Sequence, residues 1–140
     1  MFIYWPSFNS ALSVGVAQQR AAINTFFSIT ASALTAAFIS RFNTGKLDME
    51  TILNATLAGG VMIAASCEMI FNPGYAIITG AFAGICASLG VLKLTKFMED
   101  KVRIHDTCGV QFLHGIPGQL GACLSAITAG IAMYNYENPF

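Results

Sequence analysis

Two ionisable side chains stand inside otherwise apolar stretches of this sequence, Glu68 and His114. An ionisable group in an apolar helix is costly, which makes each a candidate for function. His114 sits in the run Phe112-Leu113-His114-Gly115-Ile116-Pro117-Gly118, past the last basic side chain, and is expected to be buried. A neutral imidazole donates one hydrogen bond and accepts another. It can hand a small neutral molecule along an apolar conduit, or relay a proton, at lower cost than a fixed charge. Glu68 lies near the end of its stretch, and two readings stand: a carboxylate that reaches the surface or bonds neighbouring helix ends, and one with a role in transport.

Near the N-terminus, Tyr4-Trp5-Pro6-Ser7-Phe8-Asn9 gathers three aromatic rings around a helix breaker. Such a cluster is either an interfacial aromatic belt or a vestibule whose ring faces attract a small cation, an effect worth roughly 0.5 to 2 kcal/mol. In His105-Asp106-Thr107-Cys108, Asp106 is placed to accept hydrogen bonds from the free amides of a helix start. Cys67, Cys86, Cys108 and Cys123 form no CxxC pair and read as small packing residues; no cofactor or metal is expected. No serine in a sharp-turn motif or accessible thiol accompanies His114, so an enzyme is not expected.

The elements that must position these residues follow from where the charges fall. The chain is 55% hydrophobic and only 10% charged, with a mean hydropathy of +0.63, too little charge to coat a soluble domain. Zero net charge leaves no basic excess for nucleic acid. A spanning helix needs about 20 mostly apolar residues. Residues 21–40, 51–70, 75–92 and 110–134 qualify, and residues 1–17, interrupted by Pro6 and Asn9, read as the tail of a further span. The fold expected is therefore an all-α membrane protein, a multi-spanning helical bundle. No cleavable signal is evident ahead of the first apolar stretch. Arg41 and Lys46 in one loop, and Lys93, Lys96, Lys101 and Arg103 in another, share a side, which is expected to be cytoplasmic. Small residues recur every four positions at Ser28, Ser32, Ala36 and Ser40, and again at Ala76, Gly80, Gly84 and Ser88. They mark helix contacts, or merely reflect how common small residues are here.

With these residues in view the chain resembles the ammonium transporter family, specifically its Rhesus (Rh) glycoprotein branch. Trp5-Pro6-Ser7-Phe8-Asn9-Ser10-Ala11, Gln19-Arg20-Ala21-Ala22-Ile23-Asn24-Thr25, Gly45-Lys46-Leu47-Asp48-Met49, Asn54 to Val61, Asp106-Thr107-Cys108-Gly109-Val110 and His114-Gly115-Ile116-Pro117-Gly118 follow one another in the family's order. The resemblance runs from Trp5 to about Thr128. It implies a channel for ammonia or ammonium, with carbon dioxide a further candidate, in a plasma-membrane homotrimer with one pore per subunit. It also implies that His114 matches the second of two facing pore histidines and Phe8 one of two stacked gate phenylalanines. Trp5 belongs to the same motif, and Asp106 matches an acid before the tenth helix of the family core. The first half of the family fold, with the other histidine and gate phenylalanine, has no counterpart in this chain. Such transporters form their pore between inverted repeats, so the chain is expected to supply one wall. The alternative is a non-conducting membrane fragment or accessory subunit that has lost transport.

Overall fold

The computed structural model describes residues 1–137, with side chains through residue 134, and is helical throughout apart from its turns. The order is α1 (Tyr4–Ser10), α2 (Gly15–Thr44), α3 (Met49–Ile63), α4 (Pro73–Leu89), α5 (Thr95–Phe97) and α6 (Ile116–Glu137). Wide π-helical turns link α4 to α5 (Gly90–Leu94), follow α5 (Met98–Val102) and precede α6 (Gln111–Gly115).

The helix ends obey local chemistry. Asp48 caps α3 by accepting from the Thr51 amide at 3.0 Å, and Asn72 caps α4 by accepting from the Gly74 amide at 2.9 Å, with Pro73 at the first helical position. Gly45, at φ 74°, closes α2 in the left-handed conformation that glycine adopts without steric penalty.

Three helices are long and apolar enough to cross a membrane: Gly15–Thr44, Pro73–Val102 and Gln111–Tyr134. The stretch 51–70, expected as one span, is instead the shorter α3 followed by turns from Ala64 to Met69. Turn amides take the last carbonyls of α3, Ala64 N–H donating to Val61 O at 3.2 Å and Ser66 N–H to Ile63 O at 3.0 Å, and α2 supplies donors to the carbonyls of the turns that follow. Asn24 Nδ2 donates to Cys67 O at 2.9 Å and Ile70 O at 2.7 Å, and Arg20 Nε donates to Glu68 O at 2.6 Å. Residues 1–17 likewise divide, into α1, a connection, and the first turn of α2.

Core packing inverts the usual size order, with small residues inside and large apolar ones outside. Ala36, Ala55, Ala58, Ala83 and Ala87 are buried around Met62. Leu34, Phe38, Ile78, Phe82, Ile127 and Ile131 are exposed, as suits a lipid-facing surface. The two small-residue ladders meet each other: a Cβ on Gly80 would lie 2.1 Å from Ser28 O, and one on Gly84 would lie 2.6 Å from Ser32 O. From the same ladder Ser28 Oγ donates to Gly59 O at 2.8 Å and Ser32 Oγ to Ala55 O at 2.6 Å. Helix α2 is thus clamped between α3 and α4. These pairings make α2 and α4 parallel and α3 antiparallel to both. Arg41 and Lys46 therefore share one end of the bundle with Lys93, Lys96, Lys101 and Arg103, while Arg20 stands at the other.

Candidate functional site: an aromatic and histidine row

The short helix α1 is tied down by its amide side chain. Asn9 Nδ2 donates to Gly60 O on α3 at 3.0 Å and to Thr25 Oγ1 on α2 at 3.2 Å. Gln18 Nε2 adds a bond to Ser10 O at 3.3 Å across the turn into α2. One turn before Asn9, the indole of Trp5 lies directly on Gly60, where an added Cβ would fall 2.1 Å from Nε1. Trp5 Nε1 and Asn9 Oδ1 are buried and bond to no described residue.

Trp5 is the centre of a row. The Phe8 ring stands 5.8 Å from it, centroid to centroid, tilted by 48°. The His114 ring also packs against it, at 6.4 Å and 25°. Residues more than a hundred positions apart thus meet at one indole. Phe8 is 72% exposed.

His114 is held by an irregular stretch of backbone. Pro117 is buried and has no amide hydrogen, so the regular bond to the carbonyl four residues earlier cannot form there. The chain widens into the π turn Gln111–Gly115, in which the Ile116 amide reaches back to Gln111 O. Such π turns recur at functional sites in helices. Phe112, buried two residues before His114, fills the space left by Gly90, where a Cβ would meet its ring at 2.2 Å. Asp106 anchors the start of this segment by accepting from the Val110 amide at 2.9 Å and the Gln111 amide at 2.8 Å. It plays the capping part its position suggests and stands apart from the row.

The expected burial of His114 does not hold: the side chain is exposed in this chain, with the indole covering one face. The physical reason is that the π turn packs against α3 and α4 through its buried residues Phe112 and Leu113, and His114 lies outside that packing. Glu68 follows the first of its two readings. It is exposed, its Oε2 accepts from Ser13 Oγ at 2.5 Å, and Arg20, which bonds its carbonyl, also lies over the Phe71 ring at 4.2 Å. It ties the ends of α2 and α3 together.

Sequence reasoning passed over Asn24 and Gly60. Asn24 is 1% exposed and sits in a stretch read for its lack of charge, its small residues and its family motif but not for this amide; a lone buried amide in a span was the signal. Gly60 has no chemical signal of its own, since its role is the space it leaves.

The profile of the Ammonium Transporter Family matches residues 1–139. The ammonium transporter Rh type C of Oryctolagus cuniculus is 52% identical over 143 residues, taking in 100% of this chain and 31% of that protein. The Homo sapiens Rh type C protein is 50% identical over 94% of this chain and 28% of its own length. Among solved structures, Nitrosomonas europaea Rh50, of the Rhesus protein family of channels, superposes with a TM-score of 0.85 at 32% identity. It covers 90% of this chain and 33% of that chain. A sensor Amt protein follows at a TM-score of 0.77 and 26% identity, with 90% and 30% covered. The chain therefore spans about a third of the length of its relatives. On its sequence, its apolar helices and its superposition, this chain is a membrane protein that belongs to the ammonium transporter family, in the Rhesus branch.

Proposed function

We propose that the chain forms one wall of a membrane path for ammonia, taken up as ammonium from the aromatic side and passed inward along an apolar face. The observation that carries this reading is that Phe8 and His114 both pack against the Trp5 ring, with centroid separations of 5.8 Å and 6.4 Å. In this row Phe8 gates, the Trp5 ring offers an apolar and weakly cation-attracting wall, and the His114 imidazole supplies hydrogen-bonding capacity at the point where the proton is left behind. The exposure of Phe8 and His114 suits a surface that faces a second wall, as in transporters whose substrate site lies between repeats. Asp106 acts at a distance, fixing the start of the segment that carries His114. Relatives named ammonium transporters and Rhesus channels support ammonia or ammonium as the substrate. The plasma membrane as site, a homotrimer as assembly and carbon dioxide as a second permeant are parts of the same proposal.

The test is methylammonium uptake by the full-length protein bearing His114→Ala. Loss of uptake, or a changed pH dependence, supports the assignment. Uptake and pH dependence like those of the parent refute it.

A further inference from the structure

We propose that Gly60 is a positioning residue for this path: by lacking a Cβ it seats the Trp5 indole and so sets the ring plane presented to His114. The inference rests on the reading that the Phe8, Trp5 and His114 row lines the path, and it assigns to α3 a part that no polar side chain reveals.

The contact is with the ring itself. A Cβ at Gly60 would lie 2.1 Å from Trp5 Nε1, 2.2 Å from Cδ1 and 2.8 Å from Cε2. No packed pair of heavy atoms sits so close, so the indole occupies the volume a side chain would need. The same glycine holds α1 through its carbonyl, which accepts from Asn9 Nδ2 at 3.0 Å. Trp5 and Asn9 lie one helical turn apart on the same side of α1. Gly60 thus touches both, fixing where α1 sits and how the ring turns.

The backbone at Gly60 cannot retreat. The preceding residue, Gly59, accepts from Ser28 Oγ at 2.8 Å, and a Cβ there would lie 2.7 Å from Ser32 Cβ. With α3 pressed against α2, an alanine at position 60 must move the indole instead. Trp5 packs against both His114 and Phe8, at 6.4 Å and 5.8 Å, so a movement of the ring changes its spacing to them.

The experiment uses the full-length protein in lipid vesicles. Variants are Gly60→Ala, Trp5→Leu, the double substitution, His114→Ala and, as a control, Gly130→Ala, where no described residue lies within 4 Å of an added Cβ. Fluorotryptophan labelling gives a fluorine resonance for Trp5, assigned by its loss in Trp5→Leu. Methylammonium uptake is measured alongside. The expected result is that Gly60→Ala shifts the Trp5 resonance and lowers uptake by about tenfold to a hundredfold, while Gly130→Ala does neither. In the Trp5→Leu background the added Gly60→Ala has little further effect, because the ring it displaces is gone. An unmoved resonance, or independent effects in the double variant, overturns the inference. Uptake that His114→Ala lowers and Gly60→Ala leaves alone overturns the positioning role while the path stands. Uptake indifferent to both overturns the path reading and this inference with it. Should Gly60→Ala fail to assemble, recovery of assembly on adding Trp5→Leu supports the contact, and no recovery overturns it.

Discussion

Replacing Gly80 by alanine puts one methyl group where α4 crosses α2. The new carbon would stand 2.1 Å from the Ser28 carbonyl oxygen and 2.6 Å from both its carbonyl carbon and Cα. These obstacles are backbone, so no rotamer change relieves them. To restore ordinary contact near 3.4 Å the helices must part by about 1.3 Å. Parting them loosens the whole seam, since Gly84 also lies close to Ser32, at 2.6 Å, and Ser28 also bonds α3. Overpacking of this kind costs up to about 3 kcal/mol. Alanine recovers about 1 kcal/mol through its helix preference over glycine. The net loss is about 2 kcal/mol, roughly a thirtyfold change in the folding equilibrium. Gly130→Ala provides the internal reference, because it gains the same preference and meets no described residue within 4 Å. The two variants should therefore differ by about 3 kcal/mol. The assay is the folded fraction of full-length protein in mixed micelles titrated with a denaturing detergent. Equal midpoints for the two alanine variants would refute the claim that small-residue contact holds α2 to α4.

Two further outcomes follow from hydrogen bonds. Asn24→Leu strips the donor from the carbonyls of Cys67 and Ile70; with two buried acceptors left unmatched, the loss is about 2 to 4 kcal/mol, and amide exchange in residues 64–70 should quicken more than at the basic end of the bundle. The Asp48 carboxyl is held below its ordinary range, chiefly by the Thr51 hydroxyl and next by the Thr51 amide. A lowered folded-state value means that its stabilising effect is complete above the ordinary aspartate range and fades as pH falls below about 4. Asp48→Ala should cost about 1 kcal/mol at neutral pH and flatten that acid dependence in unfolding titrations, and an unchanged acid slope would show that the cap contributes nothing.

Much of the architecture was legible in the chain because membrane insertion is decided residue by residue. Charges collect at Arg41 to Lys46 and Lys93 to Arg103 and are scarce between, and that pattern alone implies helices crossing an apolar layer. Local chemistry was legible too: Asp106 before Val110 reads as a cap from sequence and acts as one, because the bond spans only a few residues. The four-residue spacing of Ser28, Ser32 and Ala36, and of Gly80 and Gly84, pointed to close helices without saying which face meets which.

What the tertiary structure decided are matters of distant partners. Helix α3 ends at Ile63, and Asn24 and Arg20, on another helix, bond the carbonyls of the turns that follow; residues 51–70 are apolar enough to continue, and nothing within them announces the stop. Phe8, Trp5 and His114 each carry a chemical signal of their own, yet their meeting depends on α1 docking against α3 through Asn9 and Gly60. The exposure of His114 could not be inferred from its apolar neighbours in sequence, because burial is a property of the layer a residue faces. The sequence by itself determined that this is a helical membrane protein and which side chains are candidates for its chemistry. Only the folded arrangement decided that Phe8 and His114 meet at the Trp5 ring, since α1 is seated on α3 where Gly60 leaves the indole room.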